Sequence, residues 1–424
     1  MDTKKIALAA PLAAALLAVT AASPAGAYGS PWHSAWASSP QAPAHTSWYP
    51  NWSEQGFADQ SVRQVVRVGA EGSEVRIRLT NAYGKTPLRL TGATVARSAG
   101  GAAVQQDTVR TLTFRGSGGV TVPAGGELSS DPVALPVRAF EELTVTFWFQ
   151  GPTGPATFHN VAMTTSYRAA GDHRRDAAGD AFTDRSWSWY YLAGVDVKNR
   201  DRDRGRGGER GAVVTFGDSL TDGFGSTPGA NRRYPDLLAE RLAESGAARP
   251  VLNAGIGGNK VLTGSECFGE SALSRFRRDA LGRPDVRTVI VLEGTNDIVQ
   301  PDVPADHCTA GSPRVTAEQI IAGHLQLIRE AHTRGVRVVG ATIPPYRGFP
   351  AWNKASDDVR IAVNTWIRTS GAYDGVADFD RVLADGSDPA GDAIKEEYVL
   401  EMDHLHLKDA GYKAMADAVD LNTL

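Results

Sequence analysis

The hydrophobic pattern of the chain changes near Gly211, and this change constrains the fold more than any other feature. Before it, short segments rich in β-branched and aromatic residues alternate apolar and polar positions, as from Val75 to Leu79. Several short strands at close spacing are typical of an all-β sandwich or jelly roll. After Gly211, short apolar runs alternate with amphipathic helical patterns. That alternation indicates an α/β domain, a parallel sheet with helices on both faces.

The two patterns predict two domains joined by a linker. We place the β-sandwich or jelly-roll domain at residues 28–197 and the α/β domain at residues 211–424. Residues 198–210 contain no apolar side chain and carry both signs of charge, which favours a solvated linker. An Arg/Gly-rich RNA-binding arm is the alternative interpretation of this stretch.

The first 27 residues have the pattern of a secretory signal peptide. Lys4 and Lys5 precede an apolar, Ala-rich run, and Ala25-Gly26-Ala27 offers small residues to a signal peptidase. A membrane anchor is the alternative, but the run is short and a cleavage-like site follows it. We therefore expect an extracellular protein without a stable membrane anchor.

The composition limits which classes of binding partner we expect. Hydrophobic residues make up 42% of the chain and charged residues 22%, and the formal net charge is −4. These values are ordinary for globular domains. They give no reason to expect nucleic acid as a binding partner, because proteins that bind nucleic acid usually carry a clearly basic face. The pattern leaves the oligomeric state open.

The chain has two cysteines, Cys267 and Cys308, which are 41 residues apart. Outside the cell such a pair usually forms one disulfide, and a loop of this length would stabilise the fold by about 4 kcal/mol. Two free buried thiols are the alternative.

A candidate nucleophile, Ser219, follows the first apolar run of the α/β domain in the stretch TFGDSLTDGFG. Ser, Gly and Asp are also common turn residues, so this stretch alone is weak evidence. A serine hydroxyl needs a base to take its proton, and a carboxylate usually orients that base. Asp403 and His406 lie three residues apart, so a tight turn could pair them.

Four blocks of the α/β half together resemble the SGNH or GDSL family of hydrolases. They are GDSL from Gly217, NAGIGGN from Asn253, GTND from Gly294 and DHLHLKDAGY from Asp403, in the family's order. The resemblance covers about half of the chain. It implies a flavodoxin-like parallel sheet with flanking helices and carboxylic ester hydrolysis without a cofactor.

The same resemblance implies roles for single residues. Ser219 would be the nucleophile, His406 the general base and Asp403 its orienting carboxylate. The oxyanion hole would take the N–H of Ser219, the N–H of Gly258 and the side-chain amide of Asn296. The neighbouring Gly257 leaves open which glycine N–H points inward.

One further feature, His404, blurs this assignment. His404 follows Asp403 where the family commonly has a small residue, but the sequence after His406 matches the family better, so we assign the base to His406. His404 would then be a substrate contact or have no catalytic role. A metal site formed by Asp403, His404 and His406 is the alternative, and no second histidine cluster supports it.

The predicted function is that of a secreted serine ester hydrolase acting on short or medium acyl or aryl esters, including carbohydrate-linked ones. Its substrate would be a small molecule or an ester on a polymer. Lipid esters, as for a lipase or phospholipase, are one alternative, and acyl transfer to an acceptor alcohol is another. From a different class, a carbohydrate-binding protein with an inactive hydrolase domain remains open. The N-terminal tryptophans, among them Trp32, Trp36, Trp48 and Trp52, would either stack on sugars or fill the β core.

Overall fold

The computed structural model describes residues 32–46, 50–198, 211–388 and 391–424. The predicted signal peptide and all of the predicted linker except Lys198 lie outside the described residues. No helix within these ranges has the length and apolar character needed to cross a bilayer.

The N-terminal part is built from sixteen β-strands and one 3₁₀ turn at Gln106–Thr108. The strands are β1 Trp32–Ala37, β2 Gln60–Arg67, β3 Gly72–Thr80, β4 Leu88–Leu90, β5 Gly92–Gly100, β6 Ala103–Val104, β7 Arg110–Leu112, β8 Val120–Val122, β9 Glu127–Ser129, β10 Val133–Val137, β11 Glu142–Phe149, β12 Phe158–His159, β13 Ser166–Ala170, β14 Asp184–Ser186, β15 Trp189–Tyr190 and β16 Leu192–Lys198.

These strands form two main antiparallel sheets that share one apolar core. The first has the order β1-β16-β3-β10, with β9 also pairing β3, and the second has the order β14-β13-β2-β11-β5-β6, with β7 on β5. Val75 and Ile77 of β3 and Val145 and Phe147 of β11 are fully buried in that core. The predicted β-rich region is confirmed as two sheets packed on a common core.

One polar residue on the outward face of β3 is buried. Arg78 pairs with Asp196 of the adjacent β16, with an N···O distance of 3.2 Å. The alternating pattern therefore predicted the strand, but not the burial of Arg78 on its second face, where Glu74 and Arg76 stay half-buried.

The tryptophans of the N-terminal part pack inward where the structure describes them. Trp32, Trp36 and Trp52 are buried, and the ring of Trp36 meets Trp189 edge to face at 4.7 Å. Trp48 lies outside the described residues. These three rings support packing in the core or at domain contacts rather than sugar stacking.

The C-terminal part is a five-stranded parallel sheet flanked by helices. Its strands are β17 Ala212–Gly217, β18 Val251–Gly255, β19 Val286–Leu292, β20 Arg337–Ala341 and β21 Gly375–Ala377, in the order β18-β17-β19-β20-β21. This 2-1-3-4-5 order is that of flavodoxin-like sheets, so the predicted fold class is confirmed.

Among the described residues, eight helices and three other turns lie between and after the parallel strands. The helices are α1 Ser219–Asp222, α2 Tyr234–Glu244, α3 Ala272–Phe276, α4 Thr295–Val299, α5 Ala317–His332, α6 Lys354–Thr369, α7 Phe379–Leu383 and α8 Asp409–Ala418. A π-helical turn spans Arg277–Leu281, and 3₁₀ turns span Gln300–Asp302 and Leu421–Thr423.

Apolar residues at alternating positions of a strand pack into two separate cores, one on each face of the sheet. In β17, Val214 and Phe216 face the core that includes α5, while Val213 faces the core that includes α2 and α8. Because both faces of the sheet are covered, its strands are nearly continuous apolar runs.

The strand order reverses at β17, which has β18 on one side and β19 on the other. In open parallel sheets, ligands bind in the crevice outside the carboxyl ends of the strands at such a reversal. The segments that follow β17, β18 and β19 therefore meet at one edge of the sheet.

The two parts are joined through polar contacts along one face. Arg67 of β2 pairs with Glu240 of α2 at 2.8 Å, and His33 of β1 pairs with Asp285, just before β19, at 3.0 Å. Ala37 of β1 belongs to the apolar core of the α/β part. The β-rich part therefore packs directly against the parallel sheet.

Candidate active site

Ser219 is the first residue of α1, immediately beyond the carboxyl end of β17. Asp218 caps this helix by accepting the Leu220 N–H at 3.0 Å. The Ser219 residue is 8% exposed, and its Oγ lies 2.8 Å from His406 Nε2. The hydroxyl is therefore recessed and within hydrogen-bond reach of a possible base.

His406 and Asp403 lie in the loop before α8 and are held by a local turn. Asp403 Oδ1 accepts the N–H groups of Leu405 and His406, each at 3.0 Å. Asp403 Oδ2 accepts the His406 Nδ1–H at 2.7 Å. Partial burial alone would raise the pKa of Asp403, but the hydrogen bond and charge of His406, with the two N–H groups, lower it to about 2.

These hydrogen bonds define the protonation state of the imidazole. An ionised carboxylate accepts hydrogen bonds only, so His406 Nδ1 carries a proton and Nε2 is free to accept the Ser219 hydroxyl proton. The ring of Phe224 packs against His406 with a centroid distance of 4.4 Å. Asp403, His406 and Ser219 thus form one continuous hydrogen-bonded chain.

His404 does not join this chain. It is exposed, has a left-handed backbone with φ of 55°, and its N–H donates to Leu400 O at 2.9 Å. Its Cβ lies beside Gly348 in the loop after β20. Within the described residues its ring has no hydrogen-bond partner.

The two adjacent glycines after β18 are in different environments. The Gly257 N–H donates to Asp222 Oδ2 at 3.0 Å, so it is already engaged. Gly258 has a left-handed backbone with φ of 75°, and no acceptor for its N–H lies among the described residues. Of the two glycines, Gly258 is therefore the one whose N–H remains available to a ligand among the described residues.

Asn296 lies in α4, which begins just after β19, and is 9% exposed. Its Nδ2 donates to Asn259 O at 3.0 Å and has a longer contact of 3.4 Å with Asp218 Oδ2. The first bond ties the amide to the glycine segment. The second contact, at 3.4 Å, is weak.

A buried network that the sequence analysis missed supports this segment. The Arg275 guanidinium is fully buried and donates to Asn259 Oδ1 at 2.8 Å, to Gly217 O at 2.8 Å and to Glu293 Oε1 at 3.1 Å. Burial raises the pKa of Glu293 well above its ordinary value, against the opposing charge of Arg275. The network links the ends of β17 and β19 to Asn259. Only the assembled fold reveals it, because its members are far apart in sequence.

Asp297 is a second support, and it lies within the GTND block. Its carboxylate accepts the N–H groups of Val261 and Leu262 at 2.7 and 3.1 Å. Burial raises the pKa of Asp297 to about 6, although these N–H groups oppose the shift. Its position next to Asn296 was the available signal for its importance.

Cys267 and Cys308 form the predicted disulfide. Phe268, next to the disulfide, lies so close to Gly258 that a Cβ built on Gly258 would overlap the phenyl ring. Cys267, His307 and Cys308 also bring ligand-type atoms within 4.8 Å of one another. Because the two sulfurs are bonded to each other, they cannot act as thiolate ligands.

The β-rich part reaches the same edge of the sheet. His159 Nε2 lies 3.0 Å from Asp222 Oδ1, and both side chains are almost fully buried. A Cβ built at Gly257 would lie 3.8 Å from Val161 and 3.9 Å from the Cβ of Ser219. Val161 and Ser219 therefore border the same glycine.

Comparisons with known proteins give a family match and several similar structures. Residues 215–414 match the model of the GDSL-like lipase/acylhydrolase family. Among solved structures, the chain is similar to an acetyl xylan esterase, at 21% identity and a TM-score of 0.37, over 49% of this chain and 96% of that one. It is also similar to the lipase/acylhydrolase from Enterococcus faecalis, at 21% identity and a TM-score of 0.36, over 49% and 92% of the two chains.

A GDSL-like lipase from Bacteroides thetaiotaomicron VPI-5482 has 18% identity and a TM-score of 0.36, over 50% of this chain and 87% of that one. No curated protein matches the chain. The family match spans all four sequence blocks, from the glycine before Ser219 to the helix after His406. Residues 215–414 therefore form a GDSL-like lipase/acylhydrolase domain, a domain of carboxylic ester hydrolases.

Proposed function

We propose that the protein cleaves carboxylic esters through an acyl-Ser219 intermediate, with His406 as general base and Asp403 as its orienting carboxylate. The observation that carries this proposal is the hydrogen-bonded chain from Asp403 through His406 to Ser219, with distances of 2.7 and 2.8 Å. A hydroxyl, an imidazole and a carboxylate in this order are what an activated serine requires.

In the first half-reaction, Ser219 Oγ attacks the ester carbonyl while His406 Nε2 takes its proton. The negative charge on the carbonyl oxygen would be met by the N–H groups of Ser219 and Gly258 and by the Asn296 amide. His406 then returns the proton to the departing alcohol, which leaves the acyl group on Ser219.

In the second half-reaction, water replaces the alcohol. His406 takes a proton from the water, whose oxygen attacks the acyl carbon, and the same donors stabilise the second tetrahedral intermediate. The proton returns to Ser219 Oγ as the carboxylic acid leaves. Asp403 remains ionised throughout and stabilises the transient imidazolium, consistent with its lowered pKa of about 2.

The preferred substrates are short or medium acyl esters or aryl esters, including those on carbohydrate. The low exposure of Ser219 and Asn296, 8% and 9%, supports a small acyl group at a recessed nucleophile. The proximity of Val161 to Gly257 supports a role for the β-rich part in shaping the site.

We also propose that the protein acts outside the cell. The pattern of residues 1–27 and the Cys267–Cys308 disulfide support this, since disulfides persist in oxidising compartments.

The test is hydrolysis of nitrophenyl esters from acetate to palmitate by the wild type and by Ser219→Ala. We expect activity highest on the shorter esters and a loss of about three or more decades in kcat/KM for the variant. Ser245→Ala is a matched control, because this serine only caps the end of α2, where it bonds Leu242 O. Equal activity of Ser219→Ala and wild type would contradict the mechanism.

The same assay separates the remaining functions. An optimum at long chains would replace the preferred substrates with lipid esters. A product shift from acid to ester on adding an acceptor alcohol would identify an acyltransferase. Inactivity of both proteins on every ester would favour a binding protein with a silent hydrolase domain.

A further inference from the structure

Asp222, the last residue of α1, joins the oxyanion segment to the β-rich part. Its carboxylate is almost fully buried and has two partners on opposite sides of the domain contact. Oδ2 accepts the Gly257 N–H at 3.0 Å, and Oδ1 lies 3.0 Å from His159 Nε2. One carboxylate therefore contacts both the glycine pair and a residue of β12.

The partners of His159 define its charge. Nδ1 lies 2.9 Å from the carbonyl oxygen of Ser39, which can only accept, so Nδ1 carries a proton. Nε2 faces a carboxylate, so it also donates, and the ring is an imidazolium. Burial alone would lower the pKa of His159, but the charge and hydrogen bond of Asp222 raise it.

The imidazolium is held firmly within the β-rich part. Its ring stacks on Trp189 at a centroid distance of 5.4 Å, and its Nδ1 is fixed by the backbone of Ser39. Among the described residues, Arg233 and the buried Tyr412 also face this pair. The charge of Arg233 acts on both His159 and Asp222, and the charge of Asp222 raises the pKa of Tyr412 further above its ordinary value. A fixed cation on one side thus defines where the Asp222 carboxylate lies.

The position of Asp222 in turn affects the glycine pair. Because Asp222 takes the Gly257 N–H, the peptide before Gly257 has a fixed orientation, and the next N–H, that of Gly258, remains for the substrate. Oxyanion donors act through preorganisation. A tilt of this turn would therefore reduce stabilisation of the transition state more than it reduces the affinity for substrate.

We propose that His159 and Asp222 form a positioning pair across the domain contact, which orients the Gly257–Gly258 turn as an oxyanion donor. This inference rests on the proposed acyl-Ser219 mechanism. Under it, the β-rich part completes the catalytic site rather than serving only as a neighbouring module.

An alternative role is stability of the domain contact alone. Other ion pairs serve that contact without touching the site, notably His33–Asp285, which lies before β19 and so at the opposite end of the parallel sheet. A pair that only joins the domains would change the unfolding temperature and leave kcat intact. A positioning pair lowers kcat with little change in KM.

The experiment compares Asp222→Ala, Asp222→Asn and His159→Phe with wild type on nitrophenyl acetate. We expect Asp222→Ala to lower kcat by about 10- to 100-fold, part of the effect of losing one oxyanion donor, and to change KM less than about threefold. Asp222→Asn should stay within about fivefold of wild type. Its amide oxygen can still accept the Gly257 N–H, and its amide nitrogen can donate to a neutral His159.

The matched control is His33→Gln, which removes the other histidine–aspartate pair of the contact and should leave kcat unchanged. In a double-mutant cycle, adding His159→Phe to Asp222→Ala should cause no further loss, because the two residues act as one unit. Folded Asp222→Ala and His159→Phe proteins with wild-type kcat would overturn the proposal. If Asp222→Ala does not fold, His159→Phe in the Asp222→Asn background decides, with a loss of about tenfold expected and no loss contradicting it.

Hydrogen exchange separates failure of this proposal from failure of the proposed function. If wild type hydrolyses no ester, the acyl-Ser219 function fails, and exchange of the segment 255–261 is then compared in wild type and Asp222→Ala. Faster exchange in the variant supports the positioning of the turn, and unchanged exchange overturns it. If wild type is active and depends on Ser219, the kcat values decide directly.

Discussion

Two segments of the candidate site are held in opposite ways. The turn that carries His406 is stabilised mainly by its own atoms. Asp403 binds the N–H groups of Leu405 and His406 within three residues, and Leu400 O accepts the His404 N–H. Such a turn depends little on the rest of the protein.

The oxyanion segment after β18 depends on distant partners instead. Gly257 is held by Asp222, and Gln300 Nε2 donates to Gly258 O at 2.8 Å. Asn259, Val261 and Leu262 are held by the buried Arg275 and Asp297. The proposed base is thus oriented locally, whereas the proposed oxyanion donors are oriented by distant parts of the chain, among which we propose the β-rich part.

The largest loss of activity should come from a substitution that removes the charge of Asp403 while the turn keeps its backbone hydrogen bonds. In Asp403→Asn, the amide oxygen can keep both backbone N–H bonds, which leaves the amide nitrogen facing His406 Nδ1. The ring must then carry its proton on Nε2, so it cannot accept the Ser219 proton. We expect kcat to fall by about 10³- to 10⁴-fold with little change in unfolding temperature.

Asp420→Asn is the control for this prediction. Asp420 forms a similar local turn by accepting the Asn422 N–H at 2.9 Å, beyond α8. The Asp420→Asn protein should have wild-type activity, and its unfolding temperature should change as little as that of Asp403→Asn. An Asp403→Asn protein within about tenfold of wild-type kcat would show that the carboxylate does not select the tautomer.

The contrast between the segments also explains what the sequence could predict. The i,i+3 spacing of Asp403 and His406 is visible along the chain, and so are the apolar runs of the five parallel strands, because strands buried on both faces are apolar throughout. His159 and Asp222 are 63 residues apart, and no local pattern around His159 distinguishes it from a core histidine.

The β-rich part illustrates the same limit. Strand β5, Gly92–Gly100, has the sequence GATVARSAG, which contains two β-branched residues and no aromatic residue, so its strand pattern is weak. It is a strand because it pairs with β11 on one side and β7 on the other. Its small residues fit a crowded interior position, and only the tertiary arrangement shows that.

Smaller losses of stability and activity should come from alanine substitutions in the glycine pair of the oxyanion segment. In Gly258→Ala, the new Cβ would overlap the Phe268 ring beside the disulfide and would sit on a left-handed backbone. We expect a loss of about 2–5 kcal/mol of stability and a lower kcat. In Gly257→Ala, the Cβ meets its neighbours at 3.8 Å or more, so the protein should fold with a near-normal unfolding temperature. Equal unfolding temperatures of the two variants would contradict this account of the turn.

The smallest expected effect is a pH dependence of the stability of the fold, caused by the pair formed by His159 and Asp222. Because the pKa of His159 is raised on folding, the folded protein holds an extra proton above about pH 6.5, the ordinary histidine pKa. The pair therefore stabilises the fold fully below that pH and loses its effect as the pH rises through the folded pKa. The slope is at most about 1.4 kcal/mol per pH unit for one proton.

Urea unfolding of wild type and His159→Phe between pH 6 and 9 measures this effect. The midpoint of wild type should exceed that of the variant most at pH 6 and least at pH 9. Arg233, which also faces the pair, keeps its charge over this range and contributes equally at every pH. A gap between the two proteins that stays constant, or widens towards alkaline pH, would mean that His159 is neutral in the fold. The oxyanion segment would then be held by Asp222 without a charged partner from the β-rich part.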